Sequence, residues 1–308
     1  MKHIILMISI FSVQLNASEI DSFTPRYLEL EDSTEQINSK TKELIQTAVD
    51  ESNEKGSCNE SYLKRKVWYA MWGHSGEFRT FLSVEGPLDI FREEVRDSVF
   101  RTLTTQESPV LVGLSDYSNQ LGTIVKIGPY LIGSDKFEHF FGIGYGLYGL
   151  HKYAKLHLNP LLSLNDLSDR YIFGGTTTGI ISFADKTANF AGIRFYDNLT
   201  GSNKDFITGK QKKKPIIECV DDRFVFHTNR FDWKNIIDAS WDEAYNCSDF
   251  RRATMKDKIN EQIQELERST GKKHNCPLDA SKLDKAKEHW SPLTKQLINS
   301  RGHGSIRN

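Results

Sequence analysis

The sequence lacks an excess of charge of either sign, because 40 lysine and arginine residues nearly balance 41 aspartate and glutamate residues. This balance produces no whole-chain field that would attract nucleic acid, so we expect no nucleic-acid partner. Beyond residue 18 the chain also lacks an apolar run of transmembrane length. The most apolar internal segments, 137–150 and 171–184, are short and interrupted by charges or glycines. We therefore expect no integral membrane span after residue 18, and a protein that is soluble or peripherally attached to a membrane.

Residues 1–18 have the three parts of a secretory signal peptide. Lys2 gives a basic start, residues 4–13 form an apolar run interrupted only by serines, and residues 14–18 form a small-residue cleavage region. The apolar run is too short to span a bilayer. The cleavage region also has no cysteine to which a lipid anchor could be attached. This pattern predicts export, to the periplasm or the outer-membrane periphery of a bacterium. The alternative is a buried first helix of a cytosolic protein.

Cysteine is scarce, and the four cysteines include no CxxC pair of the kind used for zinc binding or thiol redox chemistry. In an exported chain an even number of cysteines favours disulfides, and four cysteines allow three pairings. We favour Cys247 with Cys276, because the charged segment between them is predicted to be helical and can fold back as a hairpin. Cys58 and Cys219 are then left as the second pair.

The pattern along the chain predicts a mainly α fold with a small β element. Residues 19–60 form a polar lead segment that we expect to be loosely attached, and residues 61–205 form a helical core domain. Residues 206–250 supply the small β and aromatic element. Residues 251–308 form a charged, helical C-terminal segment whose tail we expect to be frayed. Within the core domain, apolar residues after Pro87 recur at helical spacing from Leu88 to Leu103 and predict a further helix.

Two long helices are predicted at the centre of the chain, from Ser134, as its N-cap, to about Leu156 and from Ser168 to about Tyr196. On each helix, small and polar residues fall on one stripe at about 100° per residue. The stripes are Asp135, His139, Gly142, Gly146, Gly149 and Tyr153 on the first helix, and Tyr171, Gly175, Thr178, Ser182, Asp185, Asn189 and Gly192 on the second. Glycine inside a helix costs about 1 kcal/mol relative to alanine, so these glycines indicate close helix–helix approach. We predict a glycine-faced helix pair.

If the two stripes face each other, Asp135, His139 and Asp185 meet in one partly buried place and are the candidate catalytic residues. The rest of the predicted polar cluster is Lys136, Glu138, Ser182 and Asn189. His139 between two acids is a natural proton carrier. The same atoms could hold a divalent metal, but such a site would want more acids on these faces, so we predict no metal and no cofactor. The third interpretation is a structural cluster that fixes the helix register.

The same residues carry a resemblance to a known family. The run from Asp135 to Phe140, followed by the run from Ser182 to Gly192, resembles the DK-x-x-HF … S-x-x-D-x-x-x-N-x-x-G signature of VanZ-like proteins, and a group of small bacterial envelope lipoproteins is similar in the same two places. The resemblance covers about 60 of the 308 residues. VanZ-like proteins look membrane-embedded, whereas this chain has large polar flanks. The resemblance implies a related helix-pair core in a bacterial envelope protein and carries no reaction with it.

These observations predict an exported bacterial cell-envelope protein with a structural or interaction role, whose partners are envelope or membrane-surface components. The alternative is a hydrolase that acts on cell-wall or lipid material through Asp135, His139 and Asp185. An enzyme needs an open cleft beside the cluster, whereas a structural cluster should be sealed by side chains such as Phe140, Tyr145 and Phe190. A separate run, Trp241-Asp242-Glu243, can supply acids to a carbohydrate hydrolase, but the sequence places no second acid beside it.

Overall fold

The structure is a computed structural model that describes residues 19–72, 76–83, 87–113, 120–201, 204–210 and 214–306, with the side chains of 168–173 excepted. Over these residues the fold is mainly α with three small sheets, and the sequence predicts a mainly α fold with a small β element. The predicted signal peptide, residues 1–18, lies outside the described residues. Among the residues described, no helix combines the length and the apolar character that crossing a membrane requires.

The described part of the chain contains these α-helices, in chain order: α1 (Thr34–Asn53), α2 (Glu60–Trp72), α3 (Glu77–Ser83), α4 (Pro109–Gly113), α5 (Ser134–Glu138), α6 (Gly144–Tyr153), α7 (Leu158–Ser168), α8 (Phe183–Asn198), α9 (Ala253–Thr270), α10 (Asp284–His289) and α11 (Thr294–Leu297). Two π-helical segments, His139–Ile143 and Asp169–Thr178, follow α5 and α7 directly. Short 3₁₀ turns lie at Val95–Asp97, Thr228–Arg230, Trp233–Asn235, Ala239–Trp241 and Ala280–Leu283.

The sheets are small and mostly antiparallel. Their strands are β1 (Ile90–Phe91), β2 (Ile124–Ile127), β3 (Tyr130–Gly133), β4 (Ile180–Ile181), β5 (Ile217–Val220), β6 (Arg223–Phe226), β7 (Asp249–Phe250) and β8 (Gly304–Ser305). The first sheet has the order β1-β2-β3, and in the second β7 pairs antiparallel with β4 and parallel with β8. Strands β5 and β6 form the predicted β element, a hairpin whose two turn residues, Asp221 and Asp222, both have positive φ. Positive φ at both positions is the conformation that two-residue hairpin turns need.

The predicted helix pair exists, but its glycine contact differs from the predicted stripe. Helix α5, the π-helical segment and α6 follow one another without a break over residues 134–153 and pack along α8. The closest approach is between Gly144 and Gly192, whereas Gly142 faces Trp72. The π-helical segment is the reason, because its wider turn adds a residue and rotates everything after Ile143 relative to a regular α-helix. The predicted Gly142–Gly146–Gly149 face is therefore wrong.

The predicted second helix, Ser168 to Tyr196, is interrupted. The π-helical segment ends at Thr178, Gly179 has a φ of +80°, and β4 pairs with β7 before α8 begins. Ser182 is the N-cap of α8, since its Oγ accepts a hydrogen bond from the Asp185 backbone N–H at 3.1 Å. Because the cap starts a new helix at this point, the first turn of α8 lies next to α5, where Asp185 contacts Lys136. Ser134 is not an N-cap but the first residue of α5.

The lead segment is packed into the core, so the expectation of loose attachment is wrong. Ile20 and the α1 residues Ile37 and Ile45 are each almost completely buried. Arg26 forms a bidentate pair with the buried Asp242, through Nη1 to Oδ2 at 2.8 Å and Nη2 to Oδ1 at 2.7 Å. The polar composition of this segment reflects paired polar groups and the outer face of α1.

The described part of the tail, up to residue 306, packs on the rest of the protein, contrary to the prediction of fraying. Strand β8 pairs with β7, and the His303 ring lies edge-on to Phe23 and Phe250. The predicted disulfide Cys247–Cys276 is present, with a second disulfide between Cys58 and Cys219. This second disulfide joins the connection between α1 and α2 to strand β5 of the hairpin.

The helix predicted after Pro87 is wrong. Residues 90–91 form strand β1, which pairs with β2, and Val95 begins a single 3₁₀ turn. Most of the apolar residues of this stretch are still buried, Val99 completely, although Phe91 is only half-buried. The spacing of these apolar residues therefore predicted their burial, but it predicted the wrong secondary structure.

Candidate functional site

A buried lysine lies at the centre of the candidate site. Lys136 Nζ is 2.6 Å from Asp135 Oδ2, 2.6 Å from Asp185 Oδ1 and 2.8 Å from Glu243 Oε1. The Lys136 side chain is completely buried, so its ammonium group depends on these carboxylates for all of its stabilisation. One ammonium therefore holds together three carboxylates that would otherwise repel one another. We call Asp135, Lys136, His139, Asp185 and Glu243 the central cluster.

Local structure explains how these side chains meet. Strand β3 runs directly into α5 and delivers Asp135 and Lys136 in its first turn. Gly133 at this junction allows close approach, because a β-carbon there would lie 2.2 Å from Asp135 Oδ1. Asp185 lies in the first turn of α8, where a carboxylate also interacts favourably with the helix dipole. Glu243 follows the 3₁₀ turn Ala239–Trp241 and comes from a distant part of the chain.

His139 bridges the two helices one turn further along. Its Nε2 is 3.4 Å from Asp185 Oδ2, and its Nδ1 is 3.0 Å from Asn189 Oδ1. Asn189 donates from Nδ2 to Asn165 Oδ1 at 2.8 Å, so its own Oδ1 is the acceptor and His139 Nδ1 carries a proton. In neutral His139 the Nε2 lone pair then faces a carboxylate oxygen. Nε2 is therefore the ring atom placed to gain or lose a proton.

A second polar layer lies behind Glu243. Ser182 donates a hydrogen bond to Glu243 Oε1 at 2.7 Å, so the residue that caps α8 also holds this acid. Glu19, from the lead segment, accepts a hydrogen bond from Thr178 Oγ1 at 2.5 Å and lies close enough to Glu243 and Asp185 to feel their charges. The site thus contains four acidic side chains: three contact Lys136 directly, and Glu19 does not.

The four carboxyl groups have different proton affinities. Burial would raise the pKa of Asp185, but the positive charges of a protonated His139 and of Lys136 outweigh burial and lower it. Burial raises the pKa of Asp135 and of Glu243, and the neighbouring carboxylates add to the rise, although Lys136 opposes it. Burial and the charges of Glu243 and Asp185 raise the pKa of Glu19 well above its usual range. One acid with a lowered pKa and three acids with raised pKa values therefore lie side by side.

The charge state of Lys136 follows from the same neighbours. Burial alone would lower its pKa, but the three carboxylates raise it well above the usual value. Lys136 is therefore a fixed positive charge and not a proton donor or acceptor near neutral pH.

Glu138 was predicted as a member of the polar cluster, and the structure places it elsewhere. Its Oε1 pairs with Arg79 Nε at 3.0 Å, on the side of α5 that faces α3. Burial raises the pKa of Glu138 to about 7, and the Arg79 charge opposes that rise. The other predicted members, Lys136, Ser182 and Asn189, do contact the candidate catalytic residues.

The three side chains expected to seal a structural cluster pack in other directions. Phe140 contacts the rings of Trp233 and Trp241, Phe190 contacts Phe206, and Tyr145 stacks on Trp68. The His139 side chain stays 16% exposed, and those of Asp135 and Asp185 stay 12% exposed. Solvent therefore reaches the His139 side of the cluster, while Lys136 on the inner side is inaccessible.

Asp135, His139 and Asp185 are also the residues that could hold a metal ion. Each offers a ligand atom, and these atoms lie within 4.8 Å of one another. However, the Lys136 ammonium already lies between the two aspartates and supplies the positive charge that a metal would bring. The arrangement is thus better suited to proton exchange than to a carboxylate-rich metal centre.

Sequence reasoning brought together Asp135, His139, Asp185 and Asn189, and it missed Glu243 and Glu19 as members of the site. The Trp241-Asp242-Glu243 run had been noted only as a separate source of acids. Its missing partner acids are those of α5 and α8, and Asp242 instead pairs with Arg26. The sequence signal that could have indicated Glu243 is an acidic residue within an aromatic segment, because such a segment is expected to be buried and a buried acid needs a partner.

No protein-family model, no curated protein and no solved structure matches this chain.

Proposed function

We propose that this chain is an exported bacterial cell-envelope protein whose central cluster is an acid–base centre of a hydrolase acting on cell-wall or lipid material. One observation carries the proposal: a partly exposed His139 lies between ionised Asp185 and an asparagine that orients it. Neighbouring titratable groups with pKa values pushed apart are the arrangement that divides acid and base roles in enzymes. The two disulfides and the signal-peptide pattern support export.

In this proposal His139 Nε2 accepts a proton from a water molecule or a substrate hydroxyl, and Asp185 stabilises the imidazolium that forms. The separation of 3.4 Å between Nε2 and Asp185 Oδ2 is longer than a normal hydrogen bond, so a reacting group can compete for Nε2. Asn189 and Asn165 hold the ring in the required tautomer. Lys136 keeps Asp185 ionised and positions it, and Glu243, whose pKa is raised by burial, lies within the same network.

The number of acids is the main argument against a purely structural cluster. Fixing the register of two helices requires one buried pair, whereas this site places Asp135, Asp185 and Glu243 around one lysine and adds Glu19. Burying additional carboxylates costs stability unless each is neutralised or protonated. Proteins retain such unfavourable groups mainly at functional sites.

A structural or interaction role is the second candidate, and the complete burial of Lys136 favours it. A lysine paired with three acids from α5, α8 and the segment after Ala239–Trp241 ties three parts of the chain together. The resemblance to VanZ-like proteins is compatible with both candidates, because it implies a helix-pair core in an envelope protein and no reaction. The partners in this case would be envelope or membrane-surface components.

Substitution of His139 separates the two candidates. For an acid–base centre, His139→Ala should abolish the envelope function of the gene in a complementation assay while the melting temperature stays within a few degrees of the parent. For a structural cluster, the same change removes the imidazole from Asp185 Oδ2 and Asn189 Oδ1. Each lost contact should cost roughly 1–3 kcal/mol, and function should fall only with the folded fraction. Glu138→Gln is the matched control, because Glu138 is adjacent in sequence and pairs outside the cluster. A parental melting temperature and an intact phenotype for His139→Ala would overturn both candidates.

A further inference from the structure

A cavity of about 320 Å³ lies beside α8, away from the central cluster. This volume is within the range of small-molecule sites. One part of its wall is apolar, and that part consists of Phe140, Ala191, Phe195, Ile216, Ile236 and Trp290. None of the acids of the central cluster lines it. An apolar wall of this extent suits the hydrocarbon part of a ligand.

The other lining residues are polar, and the one carboxylate among those described, that of Asp205, already has all of its acceptor sites occupied. Asp205 Oδ2 accepts hydrogen bonds from Arg194 Nε at 2.8 Å and Asn198 Nδ2 at 3.1 Å. Asp205 Oδ1 accepts from the backbone N–H of Ile207 and from both the N–H and the hydroxyl of Thr208. A carboxylate has about four acceptor sites, so Asp205 has none left for a ligand.

By contrast, several hydrogen-bond donors that line the same cavity have no acceptor among the described residues. Arg194 lies over the Trp290 ring at 5.5 Å and donates from Nη1 to His289 Nε2 at 2.6 Å. His289 must therefore be neutral with its proton on Nδ1, and burial together with the Arg194 charge lowers its pKa accordingly. Within the described residues, Arg194 Nη2, His289 Nδ1 and Lys210 Nζ have no acceptor. Since Asp205 neutralises Arg194, Lys210 leaves this wall with a net positive charge.

We propose that this cavity binds a small amphipathic anion, with its apolar body against the Phe140 and Trp290 side and its anionic head at Arg194, His289 and Lys210. Carboxylate and phosphate heads share the required chemistry, because both are planar or tetrahedral arrays of acceptors that match guanidinium and ammonium donors. The ligand class is therefore an alkyl carboxylate or alkyl phosphate. This site is independent of the proposed acid–base centre.

Fluorescence of Trp290 offers a direct test with the oxidised, full-length protein. Decanoate, decyl phosphate, 1-decanol and acetate would be titrated against the parent and against Trp290→Phe, which identifies the signal of this tryptophan among the five. We expect saturable changes with the two alkyl anions in the parent only, and the tighter of the two identifies the head group. Binding of 1-decanol as tight as that of decanoate would overturn the anionic head, and binding of acetate as tight would overturn the apolar body.

Two variants test the assigned residues. Lys210→Gln changes an exposed side chain and should weaken binding of the alkyl anions by roughly twofold to fivefold, the range of an exposed ion pair. Ala191→Leu places extra volume in the cavity and should abolish binding. Lys214→Gln is the matched control, since Lys214 is an exposed lysine close in sequence to Lys210 that does not line the cavity. The Lys214→Gln variant should bind the alkyl anions as tightly as the parent does. Parental affinity in both Lys210→Gln and Ala191→Leu, with circular dichroism showing folded protein, would overturn the proposal.

Discussion

Gly144 and Gly192 bring the two central helix backbones into direct contact, since a β-carbon on Gly144 would come within 2.7 Å of the Gly192 Cα. A β-carbon on Gly192 would lie 2.0 Å from the Phe140 carbonyl oxygen. Neither neighbour is the end of a flexible side chain, so neither can move without displacing a helix. This contact sets the separation at which His139 of one helix reaches Asp185 of the other.

Gly192→Ala is therefore expected to destabilise the protein by roughly 1–3 kcal/mol or more, because overpacking forces the backbones apart. Gly149→Ala is the matched control on the same helix pair, since its β-carbon would meet only Tyr153 at 4.0 Å. Replacing that glycine should be neutral or stabilising by up to about 1 kcal/mol. Thermal unfolding of the two variants provides the comparison, and equal melting temperatures would show that the glycine contact is not needed.

The sequence predicts the contacts between residues that are close in sequence, and it does not predict those that depend on distant parts of the chain. Asp135 and His139, and Asp185 and Asn189, are four residues apart on helical turns, so periodicity placed each pair on one face correctly. The π-helical segment His139–Ile143 changes the face of every later residue, and no composition signal marks it. That is why a glycine face of Gly142, Gly146 and Gly149 was predicted, while the contact with Gly192 is made by Gly144.

Glu243 and Glu19 could not be placed in the site from sequence, because no local pattern relates them to α5 or α8. Their positions depend on long-range packing: the lead segment is held by Arg26 and Asp242, and Glu243 directly follows that buried aspartate. The polar composition of the lead segment predicts solvated side chains and therefore a loose attachment. In the structure, several of them are paired and buried instead.

The two disulfides should contribute unequally to stability. Removing either one is expected to cost about 2–5 kcal/mol. The Cys58–Cys219 disulfide spans 161 residues, whereas Cys247–Cys276 spans 29. In the chain-entropy description the cost grows with the logarithm of the loop length, which makes the longer loop worth about 1.5 kcal/mol more.

Denaturant unfolding of the two double-serine variants would measure this difference. Thiol titration of unfolded protein, without reductant, should first find no free thiol. A larger loss for the Cys247–Cys276 pair would contradict the expected order, and free thiols in protein purified from the envelope would contradict the pairing itself.

His303 should make the protein sensitive to acid. Burial among Phe23, Phe250 and their neighbours lowers the pKa of His303 to about 4. A base with a lowered pKa in the folded state is stabilising above its unfolded pKa of about 6.5 and loses that contribution as the pH falls toward 4. His303→Gln should therefore lose less stability than the parent between pH 6.5 and pH 4, as measured by urea unfolding at both values. Parallel losses in the two proteins would show that His303 does not titrate in this window.

Export is expected to remove the first residues, so that the mature chain begins near Ser18 or Glu19. The three-part pattern of residues 1–18 is the reason. Amino-terminal sequencing of protein extracted from the envelope of expressing bacteria measures the cleavage position. An intact Met1 on a protein found in the cytosol would contradict export.

Product release by purified protein is the measurement that tests the acid–base centre most directly. Oxidised protein would be incubated with isolated cell-wall and phospholipid fractions, and released sugars, peptides and fatty acids would be quantified for the parent, His139→Ala, Asp185→Asn and the control Glu138→Gln. The proposal predicts release by the parent and Glu138→Gln, with a loss of roughly 10²–10⁴-fold in the other two variants, the contribution typical of general acid–base groups. No release by the parent from either fraction, or equal release by all four folded proteins, would contradict it.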